Sequence, residues 1–221
     1  ACGDAVGTSV EFSPRGTFAP VSDMSGGGPF NLQPGEWTDD TSMALCLAES
    51  LLERRGFDPR DQMERYCRWQ SEGYLSSNGV CFDIGNTVAG ALQRYRASDN
   101  PLSGSTDPYS AGNGSIMRLA PVPMYYVKDL AKVERYAASS SRTTHSAQEA
   151  VDACRLFGLM LALALRGAPR EVILFKSHQR LPTTEPLAPA IASIASGDYR
   201  DKAEEEIRGS GYVVASLEAA L

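Results

Sequence analysis

Residues 156–165 read LFGLMLALAL, a run with one glycine and no polar side chain. As a helix it is about 15 Å long, half the roughly 30 Å of a bilayer's hydrocarbon layer. It lies between Arg155 and Arg166, so it reads as a buried helix and not as a membrane span. A helix that is apolar all round needs other helices packed about it. Val151 and Cys154 precede this run in the same apolar segment, Leu161 and Leu165 fall within it, and upstream Ala44, Leu45, Ala48, Leu51 and Leu52 share a second helical face. No segment alternates with the period of a strand. Further helices are expected over 60–72, 83–96, 115–125, 129–139, 145–166, 169–176, 185–195, 199–208 and 211–221. The expectation is a single all-α domain over residues 1–221, a compact multi-helix fold.

A chain of 221 residues can bury about 70% of the surface its unfolded form exposes. Its 43% hydrophobic and 22% charged content is that of a folding globular chain. With 21 Lys and Arg against 27 Asp and Glu, the net charge of −6 argues against a broad electrostatic grip on nucleic acid. An anionic ligand would have to be held by local dipoles or cations. The five cysteines, Cys2, Cys46, Cys67, Cys81 and Cys154, are odd in number and lack C-x-x-C spacing, which indicates neither a disulfide framework nor a zinc knuckle. The opening ACGDAVG shows no signal-peptide pattern. A cytoplasmic protein without a membrane span is expected.

Two long loops, SGGGPFNLQPGE at 25–36 and DNPLSGSTDPYSAGNG at 99–114, are rich in turn-forming residues. Loops of this length in a helical domain tend to carry function. Between them stands EWTDDTSM at 36–43. Thr38, Asp39, Asp40 and Thr41 suit a helix N-cap, where side-chain oxygens accept backbone N–H bonds. They equally suit Mg²⁺ or Mn²⁺, which take hard oxygen ligands. Asp4 and Glu11, in GDAVGTSVEF, would add two carboxylates if the fold brings them close. Gly112, Asn113 and Gly114 make either a tight turn or a loop whose N–H groups hold a phosphate. His145 and His178 are the only histidines and are too far apart in sequence to suggest a metal set. Asp83 and Asn86, in CFDIGNTV, stand where a helix begins, and capping is their default reading.

Taken in order, GDAVG, Glu11, GEWTDDTSM, FDIGNTV, GNGSIMRLAP, THS and GYVVASLEAAL resemble the ADP-ribosylglycohydrolase family, to which dinitrogenase reductase-activating glycohydrolase belongs. The stretches cover nearly the whole chain. The resemblance implies metal-dependent hydrolysis of the glycosidic bond between ADP-ribose and a modified protein side chain, with arginine the expected one. It implies a dinuclear Mg²⁺ or Mn²⁺ centre in an all-α cleft, with Thr38, Asp39 and Asp40 as the first metal cluster. Glu11, with Asp39 or Asp40, would manage protons. Ser110, Gly112, Asn113, Gly114 and Ser115 would contact the phosphates and distal ribose, His145 the adenosine-side ribose, and Asp83 the cleft edge. ADP-ribose and an ADP-ribosylated protein are the expected partners.

The family's second metal cluster, G-x-D-x-D-T, follows the stretch that GYVVASLEAAL resembles and is not among these 221 residues; most of the helix before GDAVG is also missing. The expectation is a chain lacking segments at both ends and, alone, hydrolysing poorly or not at all. The rival is a non-catalytic ADP-ribose-binding or toxin-neutralising protein using the same pocket.

Overall fold

The computed structural model describes residues 1–221. Its first five α-helices are α1 (Cys2–Gly7), α2 (Asp39–Glu53), α3 (Pro59–Glu72), α4 (Asn86–Ser98) and α5 (Pro121–Tyr125). The remaining five are α6 (Leu130–Arg142), α7 (Gln148–Leu165), α8 (Arg170–Phe175), α9 (Pro189–Ser196) and α10 (Val213–Ala220). Extended pairing is confined to three isolated bridges. The all-α expectation holds, and no helix is long and apolar enough to cross a membrane.

α7, built on the quoted run, is the axis of the fold. Leu156 and Met160 pack with Ile191 and Ile194 of α9 and with Val213 and Leu217 of α10. Cys154, farther round α7, meets Leu47 and Leu51 of α2, Val122 of α5 and Ala137 of α6. A third buried cluster joins α2, α3 and α4 through Met43, Cys46, Met63, Tyr66, Trp69 and Leu92. Burying each large apolar side chain contributes about 1.5–3 kcal/mol, so α2 is anchored from two sides. That matters because its first turn carries Asp39 and Asp40.

Local chemistry sets the helix ends. Asp58 accepts hydrogen bonds from the backbone N–H of Arg60 and Asp61 at the start of α3, with Pro59 in the first helical position. Gly73 closes α3 at φ +69°, where a Cβ would come within 1.9 Å of the Gly79 carbonyl oxygen.

Several boundaries depart from the expected ones for identifiable reasons. The helix expected over 115–125 begins only at Pro121, because Pro121 and Pro123 have no N–H to donate and fit the first turn of a helix, not its interior. Residues 199–208 form two short 3₁₀ turns, Asp198–Asp201 and Glu204–Glu206, in place of an α-helix. Three consecutive glutamates there repel one another and offer no apolar face to bury. The segment expected from 83 becomes helical at Asn86, because Asp83 sits at φ +58°, outside the helical region. On α2 the buried face is Met43, Cys46, Leu47, Ser50 and Leu51, whereas Leu45 and Leu52 are exposed. Arg155, read as a polar boundary, lies inside the fold at 3% exposure. It donates to Glu134 at 2.9 and 2.7 Å, to Asp152 at 2.7 Å and to the Thr183 hydroxyl at 2.7 Å.

Candidate functional site

The first turn of α2 is capped from a distance. Asp4, on α1, accepts hydrogen bonds from the backbone N–H groups of Thr38 and Thr41, each at 3.1 Å, and from their hydroxyls at 2.9 and 2.7 Å. The hydroxyl of the N-cap residue Thr38 makes no bond to its own helix. Asp4 therefore does the work that the sequence left open for Asp39 and Asp40. Neither of those two forms a salt bridge or accepts a hydrogen bond from any N–H or hydroxyl of the protein. They occupy the first two helical positions, where the helix dipole favours negative charge.

Asp39 and Asp40 form part of the wall of a cleft of about 840 Å³ that also includes Glu11, Asp83, Gly112, Asn113, Gly114 and His145. A second cavity of about 500 Å³ adjoins it, lined by Asp4, Glu11, Thr38, Asp40 and Thr41. Glu11 and Asp40 face both. The fold thus brings together carboxylates that are up to 79 positions apart in sequence (Asp4 to Asp83).

The electrostatics of the group are one-sided. Burial, then repulsion from Asp40, Asp83, Asp4 and Glu11, holds the Asp39 carboxyl far above the ordinary aspartate range. Burial and the charges of Asp4 and Glu11 push Asp40 up to about 7. Asp83 is raised by burial and by the charges of Glu11 and Asp40. Glu11 is raised by burial, with Asp4 adding to the shift and the Thr8 hydroxyl opposing it. Arg15 is the one formal cation on the wall of the larger cleft, and it is already bonded to the Glu204 and Ile207 carbonyls at 2.8 and 3.1 Å.

The donor set is hard oxygen throughout and short of positive charge, which suits a divalent cation. No three Asp, Glu, His or Cys side chains converge on one metal position. A cation held by Thr38, Asp39 and Asp40 would complete its shell with water or ligand oxygens.

The opposite wall is the 112–115 turn. Its neighbours are fixed: the Asn113 N–H donates to the Gly211 carbonyl at 2.9 Å, and its side-chain amide donates to Ser216 at 3.1 Å. The backbone N–H of Gly114 has no acceptor within the protein. His145 packs its ring edge on this turn; a Cβ on Gly114 would lie 2.8 Å from His145 Cε1.

Of the residues singled out in sequence, Glu11, Asp39, Asp40, Asp83, Gly112, Asn113, Gly114 and His145 meet at the larger cleft, and Thr38 lines the adjoining cavity. The side chains of Ser110 and Ser115 turn elsewhere. The Ser110 hydroxyl donates to the Asp107 carbonyl at 2.6 Å, and buried Ser115 accepts from the Cys154 thiol at 3.4 Å. Sequence reasoning passed over Phe12 to Arg15 and Gly209 to Gly211, which line the cleft from segments remote in the chain. The G-S-G at 209–211 was the one local signal for the latter.

An acidic wall facing a glycine turn across a cleft, within an all-α fold, defines a helical class of ligand-binding protein. The ADP-ribosylglycohydrolase family model matches residues 1–221, and the chain belongs to that family. It is 45% identical to an ADP-ribosylarginine hydrolase Tri1 of Serratia proteamaculans over 221 residues, all of this chain and 58% of that protein. It is 35% identical to the ADP-ribosyl-[dinitrogen reductase] glycohydrolase of Rhodospirillum rubrum over 168 residues, 73% of this chain and 53% of that one. Among solved structures, an ADP-ribosylglycohydrolase-related protein complex superposes with a TM-score of 0.81 at 43% identity, covering 99% of this chain and 70% of the other. The chain thus spans between half and three-fifths of the length of these curated relatives.

Proposed function

We propose that residues 1–221 form the ligand-facing part of a hydrolase that releases ADP-ribose from modified arginine side chains. The observation that carries the reading is the group of carboxylates without salt-bridge partners that lines one cleft with the glycine turn, whose Gly114 N–H has no acceptor in the protein. The names of the relatives supply the substrate class.

Breaking the glycosidic bond builds positive, oxocarbenium-like charge on the ribose. The carboxylates of Asp39, Asp40 and Asp83 would stabilise that charge from the α2 side of the cleft. The free N–H of Gly114 would donate to a phosphate oxygen, which helps an acidic protein hold an anion. Glu11, adjoining both cavities and with its proton affinity raised by burial, would move a proton to or from water and the leaving group. A Mg²⁺ or Mn²⁺ bound through Thr38, Asp39 and Asp40 would supply Lewis acidity to ribose hydroxyls and water.

The test is release of ADP-ribose from ADP-ribosylarginine protein, with Mg²⁺ or Mn²⁺, by a protein containing this chain and by its Asp39→Ala and Asp40→Ala variants. Release should fall at least a hundredfold in each, and undiminished release by both would sink the reading. Calorimetry with ADP-ribose separates the rival: binding that needs no metal, without turnover, marks a binding protein.

A further inference from the structure

Arg118 is fully buried and has no carboxylate partner. The fold's other two buried arginines, Arg65 and Arg155, each hold at least two carboxylates. Arg118 instead donates to neutral oxygens: the Ser140 carbonyl at 3.2 Å, the Thr143 hydroxyl at 3.3 Å and the Thr144 hydroxyl at 2.7 Å. Its guanidinium also lies 4.8 Å from the Tyr66 ring centroid, and its Nε has no acceptor. Keeping a guanidinium from water without an anion costs several kcal/mol, and a methionine or leucine would fill the same space without that cost.

The shortest of these bonds leads to the cleft. The Thr144 hydroxyl, which accepts from Arg118, lies 2.8 Å from His145 Nδ1 and makes no other hydrogen bond. A hydroxyl has one proton to give. With one lone pair taken by the guanidinium, that proton has Nδ1 as its only acceptor in reach. Nδ1 is therefore an acceptor, and the ring proton sits on Nε2. The Nε2 edge packs on the glycine turn at the cleft: a Cβ on Gly112 would lie 3.3 Å from it and one on Gly114 3.2 Å. Nε2 has no partner in the protein, and His145 is among the residues lining the cleft. The backbone holds the ring in place, since the His145 N–H donates to the Ser141 carbonyl at 2.7 Å and its carbonyl accepts from the Ser141 hydroxyl at 2.9 Å.

We propose that Arg118 is a positioning residue which, through Thr144, locks His145 in the Nε2–H tautomer and so gives the cleft a fixed neutral donor for a ligand oxygen. The identity of that ligand as ADP-ribose rests on the functional reading above; the tautomer does not. A donor fixed before binding leaves less to be organised when the ligand arrives. The permanent guanidinium charge behind His145 also opposes a second proton on the ring.

Long-range ¹H–¹⁵N correlation spectra of histidine-labelled protein read the tautomer directly, and His145→Gln assigns the signal against His178. The wild type should show Nε2–H. Thr144→Val should give a mixture or the Nδ1–H form and weaken ADP-ribose binding about tenfold by calorimetry, while Thr144→Ser restores both. Arg118→Met should loosen the tautomer, and Arg118→Lys, which keeps a cationic donor, should hold it. The two Thr144 variants and Arg118→Lys keep the test intact if Arg118→Met does not fold. An Nδ1–H wild type, a Thr144→Val protein still locked at Nε2–H, or an Arg118→Lys protein that folds with Nε2–H lost overturns the proposal. If the tautomers follow this pattern but no protein binds ADP-ribose, the functional reading fails and the positioning role stands.

Discussion

Two acidic groups lie within this fold, and they are built in opposite ways. On the α6–α7 side, Glu134 and Asp152 are almost fully buried, and each is matched to Arg155, with Thr183 and the Ala188 N–H completing their hydrogen bonds. At the start of α2, Asp39, Asp40, Asp83 and Glu11 crowd together, and none of them forms a salt bridge. The first group is closed and has nothing left to bind. The second is held in place by Asp4 and by the packing of α2, and its charge is left for something outside the chain to balance. Buried charge by itself does not mark a site; buried charge without its partner does.

The largest effect that would break this contrast is expected at Arg155. Arg155→Met strands two buried carboxylates, and urea unfolding should show a loss of about 3–5 kcal/mol. Next come paired isosteric changes of opposite sign. Asp152→Asn removes the charge that Arg155 pairs with and should destabilise by about 2 kcal/mol. Asp39→Asn removes the cost of keeping this buried carboxyl protonated at a pH where the unfolded chain has released its proton, and should raise the metal-free melting temperature while abolishing turnover. If both variants are destabilised equally, the two groups are not different in kind.

The pH dependence sharpens the same point. Native Asp40, near 7, keeps a proton through the range above 3.8 in which the unfolded chain has released it. Raising the pH from about 4 to about 7 therefore costs metal-free stability, and the cost levels off above that window. Burial and Arg118 push His145 down to about 3, so the unfolded chain takes up its proton first and acidification below about 6.5 is destabilising. Melting temperatures against pH should show the loss between about pH 4 and 7 flattened in Asp40→Asn and the loss on acidification reduced in His145→Gln. The effect most confined to the glycine turn is expected for Gly114→Ala. Its Cβ would lie 2.8 Å from the buried His145 Cε1, and ADP-ribose affinity should fall about tenfold by calorimetry, with a loss of about 1–3 kcal/mol of stability from overpacking.

Much of the fold was legible because its signals are local. Asp58, Pro59 and Gly73 mark the ends of α3 within a single stretch, and the apolar run of α7 needs a surrounding core wherever it occurs. What escaped depends on partners far along the chain. The burial of Arg155 follows from Glu134 and Thr183, neither of which is near it in sequence. Asp39 and Asp40 could not be separated from helix caps until Asp4 was seen to do the capping from 34 positions away. Ser115, inside a promising loop, faces Cys154, a partner 39 positions on that the local sequence does not show. Arg118 was read only as part of a motif, since its role depends on Thr144, 26 positions on.

The glycine turn is tied to the far part of the chain: the Asn113 N–H bonds to Gly211, the Val213 N–H to Ala111, and the Asn113 amide to Ser216. A ribosome emits the turn about a hundred residues before the segment that braces it. The acidic wall waits on α7, whose Cys154 packs against α2, and the glycine turn waits on α10, so the pocket is completed only when the last helix has emerged and docked.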